Sequence, residues 1–279
     1  ERFPLSKAVY FDTPDKRMIF AIPNENCTYI GTTDTFHEGS IENLMITKSE
    51  VTYLLKAVNN MFPKINLLKT DILSGWAGVR PLISEEGKSP SEVSRKHEIF
   101  EESNGMLTIA GGKLTGYRKM AQKITDKAIQ NHFKSKPLKK CYTKKLTLTG
   151  SDFKNDKDLE NQKKAFLKKS EVFHWKKEEA MWVYKLFGSE SQKIIEAKFN
   201  LKTSLPDYLI KTLLYCISKE MINCPSDFIM RRTNLCYFHP KITQIYWSEI
   251  ARVIYDQMNY SSEKIDSFNK KMMEDFSIS

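Results

Sequence analysis

Hydrophobic and polar residues alternate in three short runs near the start of the chain. Turn-forming residues separate these runs, which cover residues 8–11, 17–22 and 28–33. Alternation with a period of two is typical of strands that bury one face, and short turns join antiparallel neighbours. Further apolar runs predict strands at 70–83, 92–100 and 106–110.

The hydrophobic period changes to that of a helix after Thr47. Thr47 and Glu50 form a capping-box pattern, and apolar residues then recur at helical spacing as far as Pro63. A second helix is predicted from about 115 to 133. Residues 155–277 are nearly all helical in pattern, and Pro206, Pro225 and Pro240 are predicted to stand at helix starts.

The pattern as a whole predicts an α+β chain of two domains. Residues 1–135 would form a domain built on antiparallel sheet, and residues 136–279 an all-helical C-terminal domain. A chain of 279 residues is long enough for each domain to bury its own core.

Charge adds one feature to this picture. The chain has 44 Lys and Arg against 34 Asp and Glu, a formal net charge of +10. The densest basic stretch, residues 134–145, is interrupted by Pro137 and is interpreted as a linker. Its lysines are not interleaved with aromatic residues as in a groove that binds nucleic acid, so a solvated surface is the preferred interpretation. The same charge would attract the chain weakly to an anionic membrane face or a phosphorylated substrate.

The cysteines and histidines favour neither disulfides nor metal. The five cysteines have no Cys-x-x-Cys spacing, and the five histidines have no ligand spacing. We therefore expect reduced thiols, a cytoplasmic protein and no metal site. No stretch of sequence approaches the ~18 consecutive apolar residues of a membrane-spanning helix.

A glycine pair follows the predicted strand at 106–110. The chain passes through Gly111 and Gly112 and continues as a helix whose apolar residues fall on one stripe. Such a turn brings backbone N–H groups and the positive end of a helix against an anionic ligand. Lys113 adds a positive charge, and Thr115 is predicted to be the N-cap. The alternative is an ordinary strand–helix turn that contains two glycines.

Five segments taken together resemble one enzyme family. They are Tyr29–Thr35, Ser74–Leu82, Ser94–Ile99, Gly111–Lys119 and Pro225–Thr233. In this order and spacing they are similar to FAD-dependent glycerol-3-phosphate dehydrogenase of the aerobic, quinone-linked type. The resemblance implies that the strand–helix turn contacts the flavin, within a substrate domain like that of D-amino-acid oxidase, and that the helical domain is a cap.

One motif of that family is absent. The dinucleotide-binding spacing Gly-x-Gly-x-x-Gly does not occur in the 279 residues, and the chain opens without an initiator Met. The adenine and pyrophosphate of FAD are expected on the unit that carries this motif. We therefore expect the C-terminal half of a longer flavoenzyme, with most of the FAD site in the missing half and no activity for this chain alone.

The resemblance also implies a reaction and its residues. The family oxidises sn-glycerol 3-phosphate to dihydroxyacetone phosphate, passing a hydride to FAD and electrons to a quinone. Arg80, Arg95 and Lys113 are placed at the substrate, with Arg80 and Lys113 as the catalytic residues, and an arginine fork suits phosphate oxygens. Without the resemblance, Arg80 would be assigned to a salt bridge and Arg95 to a solvated strand position. The implied cofactor contacts are Gly111, Gly112, Lys113, Leu114 and Thr115.

Other motif residues have less specific interpretations. Thr32–Asp34 suits a turn whose side chains bond their own backbone. Trp76 suits a flavin face or a core position equally well. His97 shares a strand face with Arg95, but a surface histidine is the preferred interpretation, and the general base stays unassigned.

Two features of the helical half are interpreted as structural. Asp227 and Arg231 are spaced i,i+4, and together with Arg232 they are predicted to lock the cap onto the catalytic domain. An aromatic cluster is expected in the core rather than in a quinone pocket: Phe173, Trp175, Trp182, Tyr184 and Phe187.

Two rival functions remain open at this point. A glycerol-3-phosphate oxidase would share these motifs but return electrons to oxygen. A non-catalytic module that binds phosphate or nucleic acid would use the basic surface alone; binding to nucleic acid is not expected. Peripheral contact with the inner face of the cell membrane and self-association into a homo-oligomer are compatible with the sequence.

Overall fold

The predicted combination of small sheets and many helices is present in a computed structural model of the chain. It describes residues 2–33, 35, 37, 39–41, 44–79 and 97–275, except for the side chains of 273–275. The α+β class predicted from the hydrophobic pattern is confirmed, including the helical C-terminal part.

The first three predicted strands form one sheet. Strands β1 (Val9–Asp12), β2 (Met18–Asn24) and β3 (Cys27–Gly31) lie in the order β1-β2-β3, and β1 pairs antiparallel with β2. In this register Phe11 lies opposite Ile19, and both side chains are buried. The period-two pattern therefore identified the buried face correctly.

Helix α1 (Lys48–Met61) covers this sheet and begins as the capping box predicts. The Glu50 N–H donates to Thr47 Oγ1 at 3.2 Å, and the Thr47 N–H donates to Glu50 Oε2 at 2.9 Å. The helix and the sheet share a small core of buried apolar residues: Phe3, Phe11, Ile19, Ala21, Ala57, Val58 and Leu67.

The strand predicted at 70–83 is wrong for the part that the structure describes. Lys69–Asp71 forms a 3-10 turn, and residues 72–79 adopt no strand. The Asp71 carboxylate fixes the turn, because it accepts hydrogen bonds from the Leu68 N–H at 2.8 Å and from Arg2 at 2.7 Å. Farther on, Ser74 Oγ donates to the Tyr237 carbonyl at 2.6 Å, so a helical element, not a strand, holds this apolar segment.

A hairpin and a helix follow. Strands β4 (His97–Glu101) and β5 (Leu107–Gly111) pair antiparallel, so the runs predicted at 92–100 and 106–110 are confirmed where they are described. The 3-10 turn Leu114–Gly116 then leads into α2 (Tyr117–His132). Glu101 of β4 accepts from Asn131 at 2.7 Å and pairs with Lys127 at 3.0 Å, which fastens α2 to the hairpin. No residue of α2 is buried, so the predicted apolar stripe is only partly covered.

From Asp156 to Asp275 the chain is mainly helical. Its elements are α3 (Asp156–Val172), α4 (Lys177–Phe187), α5 (Ser191–Glu196), α6 (Asp207–Lys219), a π-helix (Asp227–Arg232), α7 (Leu235–Phe238), α8 (Pro240–Met258) and α9 (Ser262–Asp275). Their large shared core contains Trp175, Trp182, Tyr184 and Phe187, and Phe173 packs against it. The aromatic cluster is therefore part of the core, as predicted.

The described contacts divide the chain into two compact units. The first contains residues 1–30, 46–76 and 147–279, and the second contains 31–45 and 77–146. The three-stranded sheet and the C-terminal helices thus share the first unit, and the hairpin with α2 belongs to the second. The domain boundary near residue 135 stays a prediction. None of the helices in the described residues combines the length and the apolar character needed to cross a bilayer.

Candidate functional site

The turn between β5 and α2 is the candidate site, because most predicted cofactor contacts lie there. β5 ends at Gly111, which pairs with His97 at the start of β4. The antiparallel register therefore holds the glycine pair beside the first residue of the neighbouring strand. All of these elements belong to the second unit.

Both glycines have backbone angles that other residues rarely adopt. Gly111 has φ +73° and Gly112 has φ +85°. A Cβ on Gly112 would lie 2.5 Å from Met120 Sδ and 3.3 Å from the His97 Cβ. Glycine at 112 thus lets the backbone approach α2 and β4 more closely than a side chain would allow.

Lys113, Leu114 and Thr115 present an exposed ridge after the glycines. Lys113 is extended and caps the 3-10 turn through its carbonyl, which accepts from the Gly116 N–H at 2.8 Å. The side chain of Leu114 is 89% exposed although it is apolar. The prediction of Thr115 as N-cap is wrong: the N-cap of α2 is Gly116, because the 3-10 turn inserts three residues before the helix. Gly116 has no side chain that could accept from the first N–H groups of α2.

Positive charge gathers at this end of α2. The first turn of the helix has no acidic residue, and Arg118 and Lys119 add to Lys113. Arg118 Nη1 lies 3.3 Å from Thr143 Oγ1, which keeps the guanidinium along the helix. A helix N-terminus carries about half a positive charge, so the dipole and the side chains here have the same sign.

His97 and Lys123 are brought together by the fold. Lys123 Nζ lies 3.0 Å from His97 Nε2, within hydrogen-bond distance. His97 is half-buried and lies next to Gly112, so it borders the candidate turn and is not a fully exposed surface histidine. The sequence pattern missed Lys123. The sequence shows that Lys123 lies four residues after Lys119, on the same face of α2. It does not show the contact with His97, because the hairpin register sets that contact.

Several predicted site residues cannot be placed beside this turn. Arg80 and Arg95 lie outside the described residues, and so does Asp34. Thr32 Oγ1 donates to the Thr33 carbonyl at 3.2 Å, which agrees with the predicted turn role of this segment.

Trp76 belongs to an aromatic group in the first unit. Its ring centroid lies 5.1 Å from that of Tyr237 and 6.0 Å from those of Tyr29 and Phe238. The indole is nevertheless about half exposed. It therefore joins β3 to α7 at the surface instead of filling the core.

The two arginines of the Pro225–Thr233 segment hold helical elements to one another. Arg231 pairs with Asp227 at 3.1 Å along the π-helix, and Arg232 pairs with Glu220 at 3.2 Å just after α6. The Asp227 carboxylate also accepts from the Asn223 N–H at 2.8 Å. These contacts stabilise the turn between α6 and the π-helix. The predicted lock onto the catalytic domain stays a prediction.

The geometry of the turn is suited to an anionic or electron-rich ligand. It combines two glycines at positive φ, the start of a sixteen-residue helix without a side-chain cap, and the ammonium of Lys113. Backbone N–H groups and cations of this kind stabilise negative charge where it collects.

Two protein families match this chain in succession. Residues 2–118 match the family described as FAD dependent oxidoreductase. Residues 141–265 match the C-terminal domain of alpha-glycerophosphate oxidase. The candidate turn lies at the end of the first match, and most of the C-terminal helices fall within the second.

Curated relatives and a solved structure are similar over nearly the whole chain. An aerobic glycerol-3-phosphate dehydrogenase of Staphylococcus aureus is 40% identical, covering 97% of this chain and 50% of that protein. One of Staphylococcus saprophyticus is 39% identical with the same coverage. The X-ray structure of the glycerol-3-phosphate dehydrogenase from Bacillus halodurans complexed with FAD superposes with a TM-score of 0.85 at 32% identity, covering 100% of this chain and 54% of that one. The chain spans about half the length of the curated relatives it matches.

Proposed function

We propose that this chain supplies the substrate-binding residues and part of the flavin-binding residues of an aerobic FAD-dependent glycerol-3-phosphate dehydrogenase, the family to which it belongs. The proposed reaction is the oxidation of sn-glycerol 3-phosphate to dihydroxyacetone phosphate. The cofactor is FAD. We expect most of its site on the part of the relatives that this chain does not span, because the Gly-x-Gly-x-x-Gly spacing does not occur here.

One observation carries the proposal: the chain turns through Gly111 and Gly112, both at positive φ, into the start of α2, which has no side-chain cap and no acidic residue in its first turn. A methyl group at position 112 would meet Met120 and His97, so glycine keeps the backbone close to both α2 and β4. The free N–H groups at the start of α2 and the positive charge of Lys113 fit an electron-rich ring edge. A solved structure similar to this chain is that of a glycerol-3-phosphate dehydrogenase complexed with FAD.

The bound flavin supplies the chemistry of hydride acceptance. The residues of this chain bind and orient the flavin, and they set the electrostatic potential around it. Gly112, Lys113 and Leu114 present backbone groups to the ring edge, and Lys113 places a full positive charge there. Such a charge favours the reduced, more negative state of a redox group.

Phosphate binding is assigned to the arginines of the family motifs. We propose that Arg80 and Arg95 hold the substrate phosphate and hydroxyl oxygens through paired hydrogen bonds. Lys113 is close to the turn and serves either the phosphate or the flavin. The residue that takes the hydroxyl proton is not assigned to this chain.

For the electron acceptor we propose a quinone. The similar relatives are aerobic dehydrogenases, and this favours a quinone over oxygen. The matched C-terminal family is named after an oxidase, so oxygen is the second candidate. We further propose a cytoplasmic location with peripheral membrane contact, and a domain boundary at residue 135.

The first test is the flavin content of the chain. Absorption spectra are recorded after FAD is added and unbound flavin is removed by desalting. We expect no retained band for this chain alone, because most of the site lies elsewhere. A stoichiometric band would contradict that division of the site. In a longer form that includes a dinucleotide-binding segment, retained FAD with turnover of sn-glycerol 3-phosphate supports the proposal, and loss of both overturns it.

The second test separates the two acceptors. Turnover of the longer form is measured with a soluble quinone analogue under nitrogen, and with oxygen as the sole acceptor. Faster turnover with the quinone supports the dehydrogenase. Equal or faster turnover with oxygen, with peroxide formed, assigns the chain to an oxidase.

A further inference from the structure

Residues 133–146, here called the lysine segment, are exposed along their whole length. The segment follows α2 directly and belongs to the second unit. Its only regular structure is the 3-10 turn Thr143–Lys145. Six lysines lie in these fourteen residues: Lys134, Lys136, Lys139, Lys140, Lys144 and Lys145.

The charge of the lysine segment is not balanced by its surroundings in sequence. From residue 127 to residue 151 the chain contains no Asp and no Glu. The Lys136 ammonium instead lies over the Phe133 ring, 5.0 Å from its centroid. A block of like charge this dense creates a positive field that attracts anionic partners.

Apolar side chains alternate with these lysines and are also exposed. Phe133 is 39% exposed, Leu138 51%, Tyr142 65% and Leu146 54%. Lysine stems can lie along apolar surface while the ammonium reaches water or an anion. Exposed apolar residues among cations are the composition of surfaces that settle into the headgroup region of a bilayer.

We propose that the lysine segment is a contact surface for an anionic lipid bilayer. In this arrangement the lysines meet anionic headgroups, Tyr142 lies at headgroup depth, and Leu138 and Leu146 reach the acyl boundary. Nucleic acid fits less well, because Phe133 and Tyr142 are the two aromatic residues of the segment and stand nine residues apart, too few to stack successive bases.

The local backbone holds the segment on the protein without covering its side chains. Arg118 on α2 reaches Thr143 Oγ1 at 3.3 Å, and the Lys145 N–H donates to the Tyr142 carbonyl at 2.8 Å. The Arg118 contact fixes the second half of the segment to the start of α2, and the backbone bond closes the 3-10 turn within the segment. The apolar side chains of the segment are left facing solvent.

This inference deepens the proposed peripheral location and does not depend on flavin chemistry. A failure to bind vesicles would leave the dehydrogenase proposal in place. A failure of the dehydrogenase test would leave the lipid contact in place.

The test uses flotation of the full 279-residue chain with vesicles. One set is phosphatidylcholine alone, and the other contains phosphatidylglycerol. The charge variant carries both Lys139→Gln and Lys140→Gln. Its control carries both Lys56→Gln and Lys64→Gln, at lysines that are exposed outside the lysine segment. An apolar variant, Leu138→Ser with Tyr142→Ser, is compared with Val172→Ser with Met221→Ser, which are also exposed apolar positions.

We expect binding to the anionic vesicles only, with partition lowered by roughly tenfold or more in the charge variant. We expect the apolar variant to bind more weakly and both controls to bind like the parent. Binding that both variants retain would overturn the proposal, as would no binding at all. A third outcome would also overturn the lipid contact: the charge variant loses binding, the apolar variant keeps it, and DNA displaces the bound chain. The surface would then bind polyanions in general.

A label gives a second readout that unfolding would not imitate. Cys141 lies inside the lysine segment and is exposed, while Cys216 and Cys236 are buried. An environment-sensitive fluorophore on Cys141 should shift its emission to the blue when anionic vesicles are added. An unchanged emission with bound protein would place the contact elsewhere and overturn the assignment.

Discussion

The Glu25 carboxylate lies 3.1 Å from His239 Nε2, and this contact joins the turn between β2 and β3 to the start of α8. Lys185 of α4 reaches the other oxygen of the same carboxylate at 3.1 Å. One turn of the sheet therefore meets two helices of the C-terminal part. The hydrogen bond with His239 is the main cause that lowers the pKa of Glu25 to about 2, and Lys185 adds to it.

Removing this carboxylate should destabilise the first unit. For Glu25→Gln we expect a loss of about 1 kcal/mol in the free energy of unfolding, because two charge-assisted hydrogen bonds weaken. Urea unfolding at neutral pH measures it. Glu98→Gln, at an exposed position of β4, is the control and should change stability by less than about 0.5 kcal/mol. An equal loss in both variants would show that the contact contributes nothing specific.

The same contact predicts a dependence on acid. The folded pKa of about 2 is below the ordinary 4.5, so the stabilisation is fully present above pH 4.5 and is lost as the pH falls towards 2. The difference in stability between the parent and Glu25→Gln should therefore shrink over that range. A difference that stays constant from pH 6 to pH 3 would contradict this origin.

Gly112→Ala tests the close approach at the candidate site. The new methyl would meet Met120 and His97, and φ +85° is unfavourable for alanine. We expect a loss of about 1–3 kcal/mol in the stability of the hairpin and α2. Hydrogen exchange of the β4 and β5 amides measures it locally. The control is Gly78→Ala, where a Cβ would meet nothing within 4 Å. Equal protection in both variants would remove steric need as the reason for this glycine.

The sequence predicted elements wherever a local signal matched the tertiary environment. The capping box at Thr47 and the alternation around Phe11 and Ile19 encode their own ends and faces, so α1 and the first sheet were predicted correctly. The aromatic cluster around Trp182 was placed in the core because large rings bury the most apolar area.

The errors arose where a distant partner decides the outcome. The segment at 70–79 has strand-like composition, but Asp71 bonds Arg2 and Ser74 bonds the Tyr237 carbonyl, so no strand forms. Thr115 looked like an N-cap, yet a 3-10 turn moves the N-cap to Gly116 and the first helical residue to Tyr117. At the candidate site, the glycines and Lys113 were visible in the sequence, whereas the Lys123 contact with His97 depends on the hairpin register.

Lys211 is a buried cation whose removal should be costly. Its side chain is 6% exposed, and Nζ donates to the Ile195 carbonyl at 2.8 Å and pairs with Asp207 at 3.1 Å. For Lys211→Met we expect a loss of about 2–3 kcal/mol in the free energy of unfolding, because a buried carbonyl loses its donor. The control Lys219→Met changes an exposed lysine of the same helix and should cost less than about 0.5 kcal/mol. Thermal unfolding measures both, and equal midpoints would show that Lys211 is replaceable by packing alone.

The assigned roles of Arg80 and Lys113 are tested in a longer form that retains FAD. Arg80→Ala and Lys113→Met should each lower turnover of sn-glycerol 3-phosphate by about 10²-fold, because each removes a cation from the reacting substrate or flavin. Flavin content should stay the same in Arg80→Ala, and Lys56→Met is the matched control on α1. Normal turnover in Arg80→Ala with full flavin would remove that residue from the site.

Cys141 should be the first thiol of the chain to be alkylated. A hydrogen bond with Thr143 is the main cause that lowers the pKa of the Cys141 thiol, and Arg118 acts in the same direction. Burial raises the pKa of the thiols of Cys27, Cys216 and Cys224. Because the thiolate is the reactive form, iodoacetamide near pH 7 should modify Cys141 fastest, and peptide mass spectrometry resolves the order. Thr143→Val removes the hydrogen bond and should slow this reaction, while Thr147→Val, an exposed position beyond the segment, should not. Faster labelling of Cys27 or Cys224 in the parent chain would show that exposure and the Thr143 bond do not govern reactivity here.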